Sequence, residues 1–167
     1  MAWDPKTYLV FGEERTRPAR ELLARVPTEH PARVVDLGCG PGNSTALLAA
    51  RWSDADLEGV DSSAEMLSEA HQAKFRARWT QADVATWNPS SPYDVIFSNA
   101  TLQWLGDHQH LLPQIMRHVA KDGIFAFQVP RNFDDPCHTL IHDIARQPRW
   151  ADKLANVRDW WNVLEPE

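Results

Sequence analysis

Three glycines alternate with other residues in Asp36-Leu37-Gly38-Cys39-Gly40-Pro41-Gly42, and two isolated acids, Asp61 and Asp83, follow downstream. Glycines at this spacing, behind an apolar run and ahead of a helical pattern, let the backbone turn sharply and let a ligand lie against bare main chain. An adenine-nucleotide-like ligand suits such a wall. The same spacing also serves a tight strand-to-helix turn that binds nothing, or a dinucleotide site. Asp61 stands about twenty residues after the glycines, where a carboxylate accepts hydrogen bonds from both hydroxyls of a ribose; it would equally stand as the neighbour of a helix N-cap. Asp83 is placed to meet the amino group on an adenine edge, with Val84 as a backbone contact and apolar wall, or to be a solvated loop carboxylate.

These residues need elements to carry them. Arg33–Leu37 reads as a short buried strand, followed by an apolar helix over Ser44–Trp52. Leu57–Asp61 is a second strand, and Ser62-Ser63-Ala64-Glu65 behind it has the spacing of a capping box, with Met66, Leu67 and Ala70 on one helix face. A third strand fits Ala77–Gln81 and a fourth Tyr93–Ser98. A helix over about His110–Ala120 stops at Asp122-Gly123 before a fifth strand, Ile124–Val129. Upstream, Arg17–Val26 reads as a helix with Pro18 in its first turn and Leu22, Leu23 and Val26 as its apolar stripe. Strand and helix alternate throughout, which predicts a parallel sheet covered on both faces, with ligands at the carboxyl ends of its strands. That topology alone selects Gly38–Gly42, Asp61, Asp83, Asn99 and Val129–Arg131.

The 167-residue chain suits one domain, and its 43% apolar and 24% charged composition is that of a globular protein. No window is apolar enough for a membrane span, and charges at Asp4 and Lys6 interrupt any secretory core, so the expectation is a cytoplasmic protein without membrane contact. A formal charge of −6 argues against nucleic-acid binding, which needs clustered Lys and Arg. Cys39 and Cys137 lie far apart and read as reduced thiols. Eight tryptophans are many for this length, and Trp150, Trp160 and Trp161 fall near the end, a segment expected to pack against something.

The strings VVDLGCGPGN, GVDSS, QADVATW and YDVIFSNATLQW together resemble the class I S-adenosylmethionine-dependent methyltransferases over residues 34–130. The resemblance implies an α/β fold, a Rossmann-like, doubly wound and mostly parallel sheet, with S-adenosylmethionine as cofactor. It implies that Asp36 holds the methionine end through water or its amino group, that Gly38 and Gly40 line the methionine side, and that Asp61 takes the ribose. Asp83 and Val84 take the adenine, and Asn99 with Ala100 closes over the methionine carboxylate. Asn43, Ser62, Met66 and Trp104 complete the implied cofactor set. Under this reading residues 31–130 form the cofactor-binding core, residues 1–30 a helical lid and residues 131–167 a helical, Trp-rich segment.

Outside the sheet, WDPKTYLVFGEERTRPARELLARV, NATLQWLGDH and QVPRNFDDPCH resemble the trans-aconitate 2-methyltransferases, small bacterial enzymes that esterify a tricarboxylate. The malonyl-carrier-protein O-methyltransferases share NATLQW-type sequences and are an alternative. The implied substrate is a small polycarboxylate, and the implied acceptor residues are Tyr8, Phe11, Arg15, Arg17, Gln103 and Arg131. Guanidinium forks at Arg15, Arg17 and Arg20 suit a multiply charged acid, or else pair with Glu13, Glu14 and Glu21 at the surface. Trp3, Tyr8 and Phe11 suit a lid that excludes water. An ionised carboxylate is already a nucleophile at neutral pH, so no general base is required and positioning supplies the catalysis. His108 is expected to be solvated or capping rather than a base. His138 and His142, four apart, lack a third metal ligand, and no metal is expected.

Enzymes of this family complete the sheet with two further strands after the fifth, and residues beyond Arg131 read as loop and helix only. The expectation is therefore a sheet lacking its last two strands. Residues 124–129 become an apolar edge that favours pairing with another copy, and a cofactor-binding remnant without turnover stands as a competing function.

Overall fold

The computed structural model describes residues 12–132 and 134–154, with side chains from residue 16 onward. Five strands form one parallel sheet: β1 (Arg33–Leu37), β2 (Asp56–Asp61), β3 (Arg78–Gln81), β4 (Tyr93–Asn99) and β5 (Val119–Gln128), in the order β3-β2-β1-β4-β5. The helices are α1 (Gly12–Ala24), α2 (Asn43–Arg51), α3 (Ala64–Ala70), α4 (His108–Met116), α5 (Pro136–Ala145) and α6 (Pro148–Ala151), with a 3-10 turn at Leu102–Trp104.

Alternation along β1 explains the two-sided core. Val34 is buried with Ala19, Leu23 and Val26 of the α1 region and Leu48 and Trp52 of the α2 region. Val35 and Leu37 are buried with Val60, Ile96, Leu102 and the α4 residues Leu111 and Ile115. A strand buried on both faces is the signature of a parallel sheet with helices on each side. β1 lies at the centre and is fixed at its start by β4, because Asp94 Oδ2 accepts hydrogen bonds from the backbone N–H groups of Ala32 (2.7 Å) and Arg33 (2.8 Å).

α1 begins earlier than its sequence pattern suggests, and Pro18 lies inside it rather than in its first turn. Proline there removes one helical bond, and burial of Ala19 and Leu23 against α2 holds the helix across it. The Arg51 guanidinium fastens the end of α1, donating to the carbonyls of Leu23, Val26 (2.6 Å) and Thr28 (3.2 Å). A cation at these terminal carbonyls also suits the helix dipole.

Two further boundaries differ from the sequence reading. The capping box at Ser62–Glu65 does not form: Ser63 is the cap, its Oγ accepting from Met66 N at 3.2 Å and donating to Glu65 at 2.9 Å. Asp61 Oδ1 takes the Ser63 N–H at 2.9 Å, which moves the helix start one residue on. Asp122-Gly123 is a bulge inside β5 and not a helix stop. α4 ends at Met116, Val119 already pairs with Tyr93, and the register then jumps so that Ile124 pairs with Val95. Asp122 takes φ +63°, and a Cβ on Gly123 would lie 2.9 Å from the Asp94 carbonyl oxygen, so the bulge needs its glycine.

Between β3 and β4 the chain makes only turns, and a polar cluster stands on that face. Glu58 is buried beneath it and accepts from Thr80 Oγ1 (2.6 Å), Arg78 Nη2 (2.8 Å) and the Tyr93 hydroxyl. Burial acts to raise the Glu58 pKa, but these hydrogen bonds and the Arg78 charge outweigh it and hold the carboxyl below its usual value. The Tyr93 phenol is pushed up to about 12, by burial first and then by the neighbouring carboxylate. Among the described residues, no helix is long and apolar enough to cross a membrane.

Candidate cofactor cleft

The carboxyl ends of β1, β2 and β4 and the loop after β3 open onto one cleft of about 730 Å3, counted to its mouth. Gly38, Gly40, Asp61, Ser62, Met66, Asp83, Val84, Asn99, Ala100 and Trp104 line it; of the positions that topology selects at the strand ends, Val129–Arg131 are not among its lining.

The glycine turn is laced to the end of β2. Gly38 N and Cys39 N both donate to the Val60 carbonyl (2.7 and 3.0 Å), and Gly40 N donates to Asp61 Oδ2 at 2.8 Å. Gly38 (φ +72°) and Gly40 (φ +55°) lie in the left-handed region, but for different surroundings. An added Cβ at Gly38 would sit 2.1 Å from Thr101 Oγ1, whereas at Gly40 it would meet nothing within 4 Å. Gly38 is therefore required by Thr101 packing onto it, and Gly40 is the bare wall that sequence reasoning assigned to all three glycines, Gly38, Gly40 and Gly42.

Asp36 lies beneath the turn, fully buried, with Oδ2 accepting from Ser44 Oγ (2.7 Å) and Thr45 Oγ1 (2.6 Å) and Oδ1 without a protein partner. Burial raises its pKa to about 6 against the two hydroxyl bonds, and the nearby Asp61 charge adds to the rise. Burial also pushes the Cys39 thiol well above its ordinary range, so it is no nucleophile at neutral pH. Asn43 does not reach the main cleft. It lines a small adjoining hollow with Thr16, Ser44 and Asn99.

Asp61 ends β2 with both carboxylate oxygens already accepting backbone N–H groups, from Gly40 and Ser63. A carboxylate offers about four lone-pair sites, so each oxygen keeps room for a further donor. Met66 and Val84 are buried and supply apolar surface. Asp83 is exposed, and its Oδ1 accepts from Ala85 N at 2.9 Å.

The far wall is the segment after β4. Ala100 holds φ +53°, uncommon for a residue with a side chain. Its carbonyl accepts from Gln103 Nε2 (2.7 Å) and its N–H donates to the Gln128 carbonyl (2.9 Å). Trp104 is 57% exposed at the mouth of the cleft. Thr101 and Leu105 also line it and were not singled out in the sequence; their place inside NATLQWL, next to Asn99, was the available signal.

The acceptor-side residues are not brought together in the same way. Tyr8, Phe11 and Trp3 lie outside the described residues, as does the Arg15 side chain. Arg17 is exposed and pairs with Glu21 at 3.6 Å. Gln103 is committed to Ala100, and Arg131 is exposed just beyond β5. His108, expected to be solvated or capping, is buried, with Nε2 2.7 Å from the Leu102 carbonyl oxygen, where it braces the 3-10 turn. α4 starts at His108 rather than at about His110, and His108 is among its buried residues. Among the described residues, no group of three His, Cys, Asp or Glu could hold a metal ion.

The methyltransferase domain family model matches residues 11–166. The chain is 54% identical over 156 residues to the trans-aconitate 2-methyltransferase of Azoarcus sp. (strain BH72), covering 93% of this chain and 61% of that protein. It is 52% identical over 153 residues to the trans-aconitate 2-methyltransferase of Methylobacterium nodulans, covering 92% of this chain and 59% of that protein. The chain thus spans about 60% of the length of these curated relatives. A solved S-adenosylmethionine dependent methyltransferase from Mesorhizobium loti shares the fold, with TM-score 0.61 and 24% identity over 68% of this chain and 54% of that one.

Proposed function

Since the chain belongs to the methyltransferase domain family, we propose that its cleft holds S-adenosylmethionine and that it serves, in the cytoplasm, to methylate a carboxylate of a small polyacid, trans-aconitate first among them. One observation carries the reading: the glycine turn, Asp61, Asp83 and the Asn99-Ala100 segment, far apart in sequence, meet around a single cleft at the strand ends. The residues present suit the ligand. Gly40 offers uncovered main chain, and a buried Asp36 oxygen without a partner lies beneath the turn where an ammonium or a bridging water is expected.

In this assignment Asp61 accepts the ribose hydroxyls with its remaining lone pairs, and Asp83 accepts from the adenine amino group with the oxygen that Ala85 leaves free. Met66 and Val84 enclose the base, Ser62 adds a polar contact beside the sugar, and Asn43 extends the methionine side. Trp104 covers the mouth. Held there, the cofactor would supply an electrophilic methyl carbon for transfer to the acceptor carboxylate, with a neutral thioether as the leaving group. The acceptor oxygen is already anionic, so no protein base takes a proton and no residue is assigned one. The chain's part is to align oxygen, carbon and sulfur and to exclude water. Arg15, Arg17, Gln103 and Arg131 are proposed to face the acceptor, with Tyr8 and Phe11 in a lid formed by the segment before α1.

Calorimetry with S-adenosylhomocysteine and NAD, followed by transfer of labelled methyl to trans-aconitate, tests the reading. Binding of the first ligand, none of the second, and label in a base-labile ester are expected. NAD binding alone would overturn the cofactor assignment, and cofactor binding without transfer to any polyacid or malonyl thioester would reduce the chain to a binding module. Self-association through β5 is also proposed, since the outer edge of that strand pairs with no strand among the described residues.

A further inference from the structure

Asn99 lines both the main cleft and the small hollow beside it. An amide presents two different chemistries, one acceptor oxygen and two N–H donors, and rotation about one bond exchanges them. What it offers a ligand therefore depends on what holds it. Gln128, its register partner at the end of β5, donates from Nε2 to Asn99 Oδ1 at 2.7 Å. The same residue's carbonyl accepts from Ala100 N at 2.9 Å. Behind the segment, Thr101 Oγ1 lies 3.3 Å from the Asn99 carbonyl and 3.3 Å from that of Gly38. The backbone is thus pinned on both sides, and the side-chain oxygen is turned to β5.

We propose that Gln128 is a positioning residue which, by engaging Asn99 Oδ1, leaves the Asn99 amide to meet ligands with its N–H donors only. The cleft at this point then takes a carboxylate and disfavours an ammonium. This fixes which group of the amino-acid end lies against Asn99, and it rests on the cofactor reading above. A Gln128 that merely filled space would have no such selectivity, because the loss of its amide would affect every ligand of the cleft alike.

The test uses two ligands and a double-mutant cycle in the full chain. S-adenosylhomocysteine carries the amino-acid carboxylate; 5′-methylthioadenosine has the same nucleoside and thioether without it. Gln128→Met keeps length and neutrality while removing the donor to Asn99. It is expected to weaken S-adenosylhomocysteine about five- to tenfold, the size of one lost oriented hydrogen bond, and to leave 5′-methylthioadenosine within about twofold. Combined with Asn99→Ala, it is expected to add no further loss, because the group it orients is gone. Thermal melting of each variant establishes that it is folded. Equal weakening of both ligands, or the same loss from Gln128→Met with and without Asn99, would overturn the proposal while the cofactor reading stands. Failure of the unaltered chain to bind either ligand would overturn both.

Discussion

Replacing Gly38 and Gly40 separately by alanine distinguishes packing within the protein from space kept for a ligand. Both residues have left-handed backbones, φ +72° and +55°, and an L-residue there costs about 1–2 kcal/mol. At Gly40 nothing lies within 4 Å of the new methyl, so Gly40→Ala should destabilise the fold by that backbone cost alone. At Gly38 the methyl would lie 2.1 Å from Thr101 Oγ1 and 2.6 Å from Thr101 Cβ. Rotation of the threonine cannot move its Cβ, so the backbone must give, adding about 1–3 kcal/mol of overpacking. Gly38→Ala is therefore expected to cost about 2–5 kcal/mol in total. Urea unfolding followed by tryptophan fluorescence reads the two values. Calorimetry with S-adenosylhomocysteine adds the second axis: Gly40→Ala, folded but less stable than the parent by the backbone cost alone, should bind at least about tenfold more weakly, roughly 1.4 kcal/mol. Equal stability of the two variants would refute the packing account, and unchanged ligand affinity in Gly40→Ala would move the ligand off the turn.

Four further outcomes are expected. Asp36 has its pKa raised from 3.8 to about 6, so the folded state binds more protons than the unfolded chain between those values, and the residue's contribution falls as pH rises through them. Melting of Asp36→Asn against the parent should accordingly improve in the variant's favour by about 2 kcal/mol from pH 4 to pH 7, and a constant difference would contradict the assignment. Glu58 has its pKa lowered, so its contribution is present above the usual carboxylate range and is lost as pH falls below it; Glu58→Gln should cost about 2–4 kcal/mol at pH 7 and less near pH 3 by chemical unfolding. Arg17→Ala removes only an exposed ion pair and should change stability by less than about 0.5 kcal/mol while raising the KM for the acceptor and sparing cofactor affinity; equal loss of both would point to misfolding. Sedimentation velocity at micromolar concentration should show dimers or larger species, and a monomer throughout would remove the β5 edge as an interface.

The strands were legible because burial on two faces leaves little choice of residue. Val34-Val35-Asp36-Leu37 and Val95-Ile96-Phe97 are apolar almost without interruption and form β1 and β4 where the pattern puts them. The ends of elements were less so. Asp122-Gly123 has the composition of a helix stop, and only the pairing of Val119 with Tyr93 makes it a bulge. Pro18 looks like a first-turn residue until the burial of Ala19 and Leu23 carries the helix across it. In the cleft, single positions after strands could be named from topology, so Asp61, Asp83 and Asn99 were within reach. Thr101 against Gly38 and Gln128 against Asn99 were not, because each contact joins segments whose proximity exists only after the sheet has formed.

The carboxylate at Asp61 that accepts the Gly40 and Ser63 N–H groups has a consequence for how such a chain can vary. A substitution there removes the acceptor of both groups, so it loosens the glycine turn and the start of the next helix together, whatever it does to a ligand. Position 61 is thus tied to the conformation of the loop it fastens.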